Sequence, residues 1–207
     1  MINRRVAGRF RRSMILMALA LVAVPAGAIA QSTPEAVVRA RNETVSATLA
    51  NVGDEVPESV REELKDVING LLDFRELSRL ALARHWADRT PEEQEEFIDL
   101  FRELVRNSSV QKLEVYKADS TVYEPASIEG DKATLVTRAF KGSSEIEIEY
   151  LMHRVDGEWL AYDVVVDGSS TMRTYRDSFI RELQSTSFEA MMRRMRDRLN
   201  RSGESDS

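Results

Sequence analysis

Cysteine is absent from the 207 residues, histidine occurs twice, and beyond residue 30 no apolar run is long enough to cross a bilayer. Without thiols there is no disulfide staple, no thiolate cage for a metal and no cysteine nucleophile. His85 and His153 do not make a histidine cluster, and no HExxH or DxDxDG pattern accompanies them. A glycine-rich phosphate loop and a GxSxG elbow are also missing. No metal and no cofactor is expected. The chain also lacks long repeats and low-complexity blocks, and only residues 202–207 read as a disordered tail.

What is present begins with a leader. Arg4, Arg5, Arg9, Arg11 and Arg12 precede an apolar run from Met14 to Val24, which Pro25 and Gly27 break. Ala28-Ile29-Ala30 then offers a small-x-small cleavage site, so residues 1–30 read as a signal peptide and the mature chain as periplasmic. An uncleaved anchor is the alternative. Removing five arginines and no acid takes the net charge from −6 to −11. Phosphates repel such a chain, which argues against nucleic acid and against direct docking on anionic lipid. Residues 31–201 suit a single domain.

The first half of the mature chain is helical, from 33 to 117. Thr33-Pro34 places a cap and a proline at a helix start, with Val38, Val45, Leu49 and Val52 on one face. Val60, Leu64, Val67, Ile68 and Leu71 mark a second helix. Asp73 with Glu76 forms a capping-box pattern for a short third one through Leu77, Leu80 and Ala81. Thr90-Pro91-Glu92-Glu93 opens a long helix through Phe97, Phe101, Leu104 and Leu113 towards Tyr116.

Strands follow over 119–167. Gly130-Asp131, Gly142-Ser143 and Asp156-Gly157 are suited to tight two-residue hairpin turns. Ile146, Ile148, Tyr150 and Met152 alternate with Glu145, Glu147 and Glu149, the period of a strand with two unlike faces. The turns fix a register in which Tyr150 opposes Asp163, Met152 opposes Ala161 and Ile148 opposes Val165. Val122, Ala126, Ile128, Ala133, Leu135, Thr137 and Ala139 are expected on that same face, and Arg138 beside Glu147, with Tyr162, Val164 and Val166, on the other. Pro125 marks an edge strand. The first face is rich in small side chains, which either let helices approach or leave room for a guest. Gly168 closes the sheet, and a helix capped by Ser169 or Ser170 carries Met172, Tyr175, Phe179 and Leu183 inward. A last helix, within 169–200, turns Phe188, Met191, Met192, Met195 and Leu199 inward and most of its arginines out.

Few residues invite a chemical reading. The register puts His153 and Asp163 on opposite sides of the sheet, which denies them an acid–base couple. Asp163, flanked by Tyr162 and Val164, needs partners if buried, and Tyr150 and Arg176 are in position to supply them. Asp163 and Arg176 are therefore read as a polar anchor between helix and sheet.

Three blocks carry a family resemblance. The first is Asp73-Phe74 with Leu82-Ala83-Arg84-His85-Trp86. The second is Thr90-Pro91-Glu92 with Gln94, Phe97, Phe101, Arg102 and Leu104. The third is Tyr162-Asp163-Val164 with Gly168, Ser170, Tyr175-Arg176 and Phe179. Together they resemble the MlaC, or toluene-tolerance, family of periplasmic phospholipid carriers serving an ABC transporter. The chain departs from that family's pattern at Ala83, where glycine is usual, at Ser109, where tyrosine is usual, and at Asp167-Gly168-Ser169-Ser170.

The resemblance implies an α+β fold: a twisted four-stranded antiparallel sheet of NTF2-like form, an N-terminal helical lobe and C-terminal helices, with lipid tails between helices and sheet. It implies a monomeric carrier without enzymatic activity, a phospholipid ligand, and two partners: an inner-membrane ABC transporter complex and an outer-membrane lipoprotein/porin complex. Combined with the face assignment, it nominates Leu80, Phe97, Phe101, Leu104, Val122, Ala139, Ile146, Ile148, Tyr150, Val165, Met172 and Tyr175 as lipid-lining. A small exported enzyme using Asp163, or an adaptor with a solid core, are the competing readings.

Overall fold

Helix starts in this chain are written in its caps. The structure is a computed structural model and describes residues 32–50, 52–53, 56–109 and 116–205; the leader expected over 1–30 lies outside them. Helix α1 (Pro34–Leu49) begins where Thr33 Oγ1 accepts from the Ala36 N–H. Helix α2 spans Glu58–Asn69 and α3 Phe74–Leu82, the latter capped by Asp73, whose Oδ1 accepts from the Glu76 N–H at 3.0 Å. A 3-10 turn, Ala83–His85, follows. At α4 (Pro91–Ser109) the box is reciprocal: the Thr90 N–H donates to Glu93 Oε2 and the Glu93 N–H to Thr90 Oγ1. The stretch expected to carry this helix on through Leu113 falls outside the described residues.

The sheet has six strands rather than four. They are β1 (Ser120–Tyr123), β2 (Ser127–Glu129), β3 (Lys132–Lys141), β4 (Ser144–Val155), β5 (Glu158–Val166) and β6 (Ser169–Ser170). All pairings are antiparallel, in the order β1-β3-β4-β5-β6, with β2 also on β3. The extra strands have simple origins. Pro125 lacks an N–H, so the expected first strand splits into β1 and β2, both on β3. Asp167-Gly168, both at positive φ, makes a fourth tight turn that folds β6 back on β5. The three turns expected from sequence all join strands as foreseen.

One β-bulge corrects the register. Met152 faces Ala161 as expected, but the pairing shifts between Leu151 and Met152, so Tyr150 faces Val164, Ile148 faces Val166 and Leu151 faces Asp163. Beyond the bulge the faces of β5 exchange. Val164 and Val166 join the core face, while Asp163 and Val165 leave it. Val122 also changes side: it pairs with Arg138 and is 52% exposed. The Arg138–Glu147 pair itself forms, at 3.1 Å.

Helices α5 (Thr171–Leu183) and α6 (Phe188–Ser205) complete the chain; the second runs through 202–205, where the sequence reading expected a disordered tail. No proline follows Leu199, and Asn200 and Gly203, residue types that often end helices, are taken into it. The apolar side chains of the first four helices divide between cores. Helices α3 and α4 join α5 and α6 around Phe97, Phe101, Phe179 and Met191, while α1 lays Val38 on the core face of the sheet and shares a smaller core with α2. The link between α2 and α3 closes the outer edge of β5: the Ala161 N–H donates to the Leu71 carbonyl, and the Asp73 N–H to that of Ala161.

Ala83, one of the departures from the family pattern, sits at φ +49°, ψ −124°. A side chain there costs about 1–2 kcal/mol of backbone strain, which glycine would not incur. Ala83→Gly is expected to raise the unfolding free energy by about 1 kcal/mol and the Tm by roughly 2–4 °C, as read by thermal and urea melts.

Candidate functional site

The core face of the sheet is tiled by small side chains along one strand. Ala133, Leu135, Thr137 and Ala139 of β3 stand beside Met152, Tyr150, Ile148 and Ile146 of β4. Helix α1 lies over them, and between the two a partly open space of about 30 Å³ remains. Ala139, Ile148 and Tyr150, which the face assignment put on this side of the sheet, line it, and Ile146 packs against the same core.

Apart from Ala118, the rest of that lining is polar: Asn42 and Ser46 from α1, Tyr116, and Thr121 and Thr137 from the sheet. Asn42 donates to the Tyr123 hydroxyl at 3.1 Å, and Ser46 Oγ to the Tyr116 carbonyl at 3.0 Å. Nearby, the Ala126 N–H donates to Glu35 and the Arg39 guanidinium lies over the Tyr123 ring. The sequence reading put Thr137 and Ala126 on this face but missed Asn42, Ser46, Tyr116 and Thr121. The signal for Asn42 and Ser46 was their spacing along the Val38–Val45 stripe, where Asn42 is half-buried and Ser46 borders it.

Tyr150 is buried, and hydrogen bonding from Asn42 and Thr137 only partly offsets the consequence. Burial, and secondarily the neighbouring Tyr116, push its phenol far above the usual tyrosine range. Burial pushes Tyr116 up to about 12. Both hydroxyls are therefore held neutral in a slot of mixed polar and apolar lining.

The remaining candidates separate. Phe97, Phe101 and Leu104 belong to the helical core, with Met172 and Tyr175 packed against it. Its rings fit edge to face: Phe101 meets Tyr175 at 4.8 Å and Phe179 at 5.3 Å between centroids. These side chains fill one another's space and do not face the slot. Leu80 is half-buried in α3, and Val122 and Val165 point to the opposite face of the sheet.

Asp163 is an anchor, but not with the expected partners. It is 2% exposed and accepts from Ser170 Oγ at 2.5 Å and from the Met172 N–H at 2.9 Å. The bulge turns it from Tyr150 towards the first turn of α5, whereas Arg176 lies further along that helix and pairs with Asp177. A different histidine–carboxylate contact forms instead. His153 Nε2 lies 2.9 Å from Asp73 Oδ2 and clips β4 to the start of α3.

A larger cleft of about 480 Å³ opens between α2, α3 and α4. Its walls are crossed by ion pairs, Arg106 with Asp66 and Arg75 with Glu95, and it communicates with solvent rather than with the sheet core.

Fold and site together define a small α+β protein whose antiparallel sheet carries a helix-covered, tyrosine-lined slot. The chain belongs to the MlaC family: the model described as "MlaC protein" matches residues 40–197. It is similar to the toluene tolerance protein ttg2D of Pseudomonas putida, with 21% identity over 180 residues, covering 84% of this chain and 82% of that protein. Its fold is similar to that of the phospholipid-binding protein from Ralstonia solanacearum, solved in complex with a phospholipid. That likeness has a TM-score of 0.70 at 17% identity and covers 82% of this chain and 98% of the other.

Raised tyrosines make a stability prediction. Unfolded tyrosines ionise near pH ~10, while Tyr116 and Tyr150 keep their protons to higher pH when folded, so the folded state binds more protons above that point. Stability is complete below pH ~10 and falls by about 1.4 kcal/mol per pH unit for each tyrosine as pH climbs towards 12. Urea melts between pH 9 and 12 are expected to show this slope, and Tyr150→Phe to reduce it by about half.

Proposed function

We propose that this chain is a periplasmic phospholipid carrier that shuttles diacyl lipid between an outer-membrane lipoprotein/porin complex and an inner-membrane ABC transporter complex, and changes no bond in its cargo. The observation that carries this reading is its membership of the MlaC family over residues 40–197. It is supported by the sheet-and-helix fold shared with a protein described as phospholipid-binding. The sequence adds an export leader and a sheet wall of small residues under a helix. We read the sheet as NTF2-like, the mature protein as monomeric, and the tails as lying between α1 and the sheet.

The energetics require enclosure. Each methylene left in water costs about 0.8 kcal/mol, so two chains of ~16 carbons cost on the order of 25 kcal/mol. That is above the practical ceiling for noncovalent affinity, near ~20 kcal/mol. A carrier must cover most of both tails, yet the space between α1 and the sheet is about 30 Å³, the size of one water. Binding pockets for sizeable ligands run to roughly 300–1,000 Å³. The expected lipid-sized gap is therefore occupied by side chains in this conformation, and loading a diacyl lipid requires α1 to lift from the sheet.

Organic extraction and mass spectrometry of the purified mature protein test the reading, with stoichiometric diacyl phospholipid expected. Ala139→Phe, which places a ring in the slot, is expected to leave the protein folded with far less lipid. Phe101→Ala is expected to cost about 3–5 kcal/mol of stability while the lipid per folded molecule stays the same. Wild-type protein that never carries lipid, even from lipid-rich cells, ends the proposal.

A further inference from the structure

Charge is distributed unevenly along this chain. Residues 31–170 hold 16 Lys/Arg against 29 Asp/Glu, a net of −13. Residues 171–201, which cover α5 and all but the last few residues of α6, hold eight cations against four acids, a net of +4. All eight cations are arginine, and the chain's five lysines all lie elsewhere. Arginine rather than lysine is the cation that interfaces enrich, because its planar fork meets carboxylates bidentately with less ordering.

The two helices turn most of these charges outward; Arg176 and Arg196 are half-buried, and Arg196 pairs with Glu96 of α4. Phe179, Phe188, Met191, Met192 and Met195 are buried in the helical core. Every exposed position between 171 and 201 is polar or charged. Arg194 reaches across to Glu182 at 2.8 Å and so clips the two helices together. Arg173, Arg181 and Arg193 are exposed and, among the described residues, form no ion pair within 4 Å. A net cationic surface is thus set on an otherwise strongly acidic protein.

We infer that the outward face of α5 and α6 is a docking surface for an acidic protein face. Charge complementarity selects such a partner, and three observations favour protein over an anionic membrane. Asp177, Glu182, Glu189 and Asp197 are interleaved with the arginines, a pattern that a discrete partner can match and a uniform anionic sheet would repel. The −13 elsewhere opposes approach to such a sheet. And this face offers no exposed aromatic or aliphatic side chain to insert between lipids. The field of an acidic protein face would instead steer and orient encounter. The inference rests on the carrier reading for why a partner is needed; the charge pattern does not.

The test uses the full chain in its native host, with a photo-crosslinking residue at Ser178 or Asn200 and a control at Glu147 on the outer face of the sheet. Ser178 and Asn200 are expected to crosslink to a protein segment rich in Asp and Glu. R173E/R181E/R193E is expected to weaken that association about tenfold at ~0.15 M salt, with its melting temperature and lipid content unchanged. Replacing two of the partner's acids by arginine should restore it. A crosslinked segment without excess acid, equal capture from Glu147, or full capture by the triple variant overturns the inference. So does a triple variant that loses sedimentation with phosphatidylglycerol vesicles while keeping its protein crosslinks. Protein that keeps the acidic partner but never carries lipid would sink the carrier reading alone.

Discussion

A carboxylate sealed away from water must be surrounded by donors, and Asp163 is where the chain meets that demand. Left on the core face beside Tyr150 and Met152, it would face hydrocarbon at a cost of several kcal/mol. The bulge after Ala161 inserts one residue and turns Asp163 to the other side, where Ser170 Oγ and the Met172 N–H close on it. Much of the architecture is tied to that contact. Ser170 also caps α5 through the Arg173 N–H, so a single pair of side chains sets where the helix starts and which strand it starts from. Once that start is fixed, Tyr175 and Phe179 meet Phe97 and Phe101 at ring-contact distance and α6 follows.

The two main cores built around this junction differ in kind. The helical one is dry and interlocked: aromatic rings meet edge to face, and methionines from α6 fill the gaps between them. The contact between α1 and the sheet is mixed, with Val38 and Leu135 fully buried but Asn42, Ser46, Thr137 and the hydroxyls of Tyr116 and Tyr150 gathered at one end. Each hydrogen bond there contributes only about 0.5–1.5 kcal/mol net, because water can replace its partners. Apolar interdigitation of the same area would hold far more firmly. The molecule thus has one rigid body and one seam that closes specifically but not strongly.

Much of this could be read from the residues. Capping boxes at Asp73 and Thr90 gave true helix starts because their hydrogen bonds are local, and Gly130-Asp131, Gly142-Ser143 and Asp156-Gly157 gave true turns for the same reason. The β3–β4 register followed from a turn alone, and it was right from Ala133 to Ala139. Beyond Ala161 the reading failed, since a bulge answers a tertiary need, the donors around Asp163, that alternation does not record. The site was legible in part. Ala139, Ile148 and Tyr150 lie where alternation put them, whereas Phe101 and Leu104 were drawn in by being apolar and on a helix, which says nothing about which core they fill. Val122 illustrates the same limit, because Pro125 interrupts the strand whose phase was needed to place it.

On the carrier reading, the mixed seam explains why the covering element is a pair of helices rather than one. Arg41 of α1 donates to the carbonyls of Val67 and Gly70, and its guanidinium lies so close to Gly70 that a Cβ there would come within 2.4 Å of it. A side chain at that point would displace the guanidinium, so the glycine leaves room for the contact that clamps α1 to the end of α2. The two share a small core of Val45, Leu49 and Leu64 that need not be broken if they leave the sheet together. Immediately after Gly70, Leu71 and Asp73 are fixed to Ala161 by backbone hydrogen bonds, so motion of the pair has a fixed pivot beside it. What must be given up is the set of polar contacts from Glu35, Asn42 and Ser46, the packing of Val38, and the ties of α2 to α4 through Asn69 with Ser109 and Asp66 with Arg106. That is a few kcal/mol, against the on the order of 25 kcal/mol that two covered tails return. A seam of that strength suits a protein that has to close without a guest and open for one.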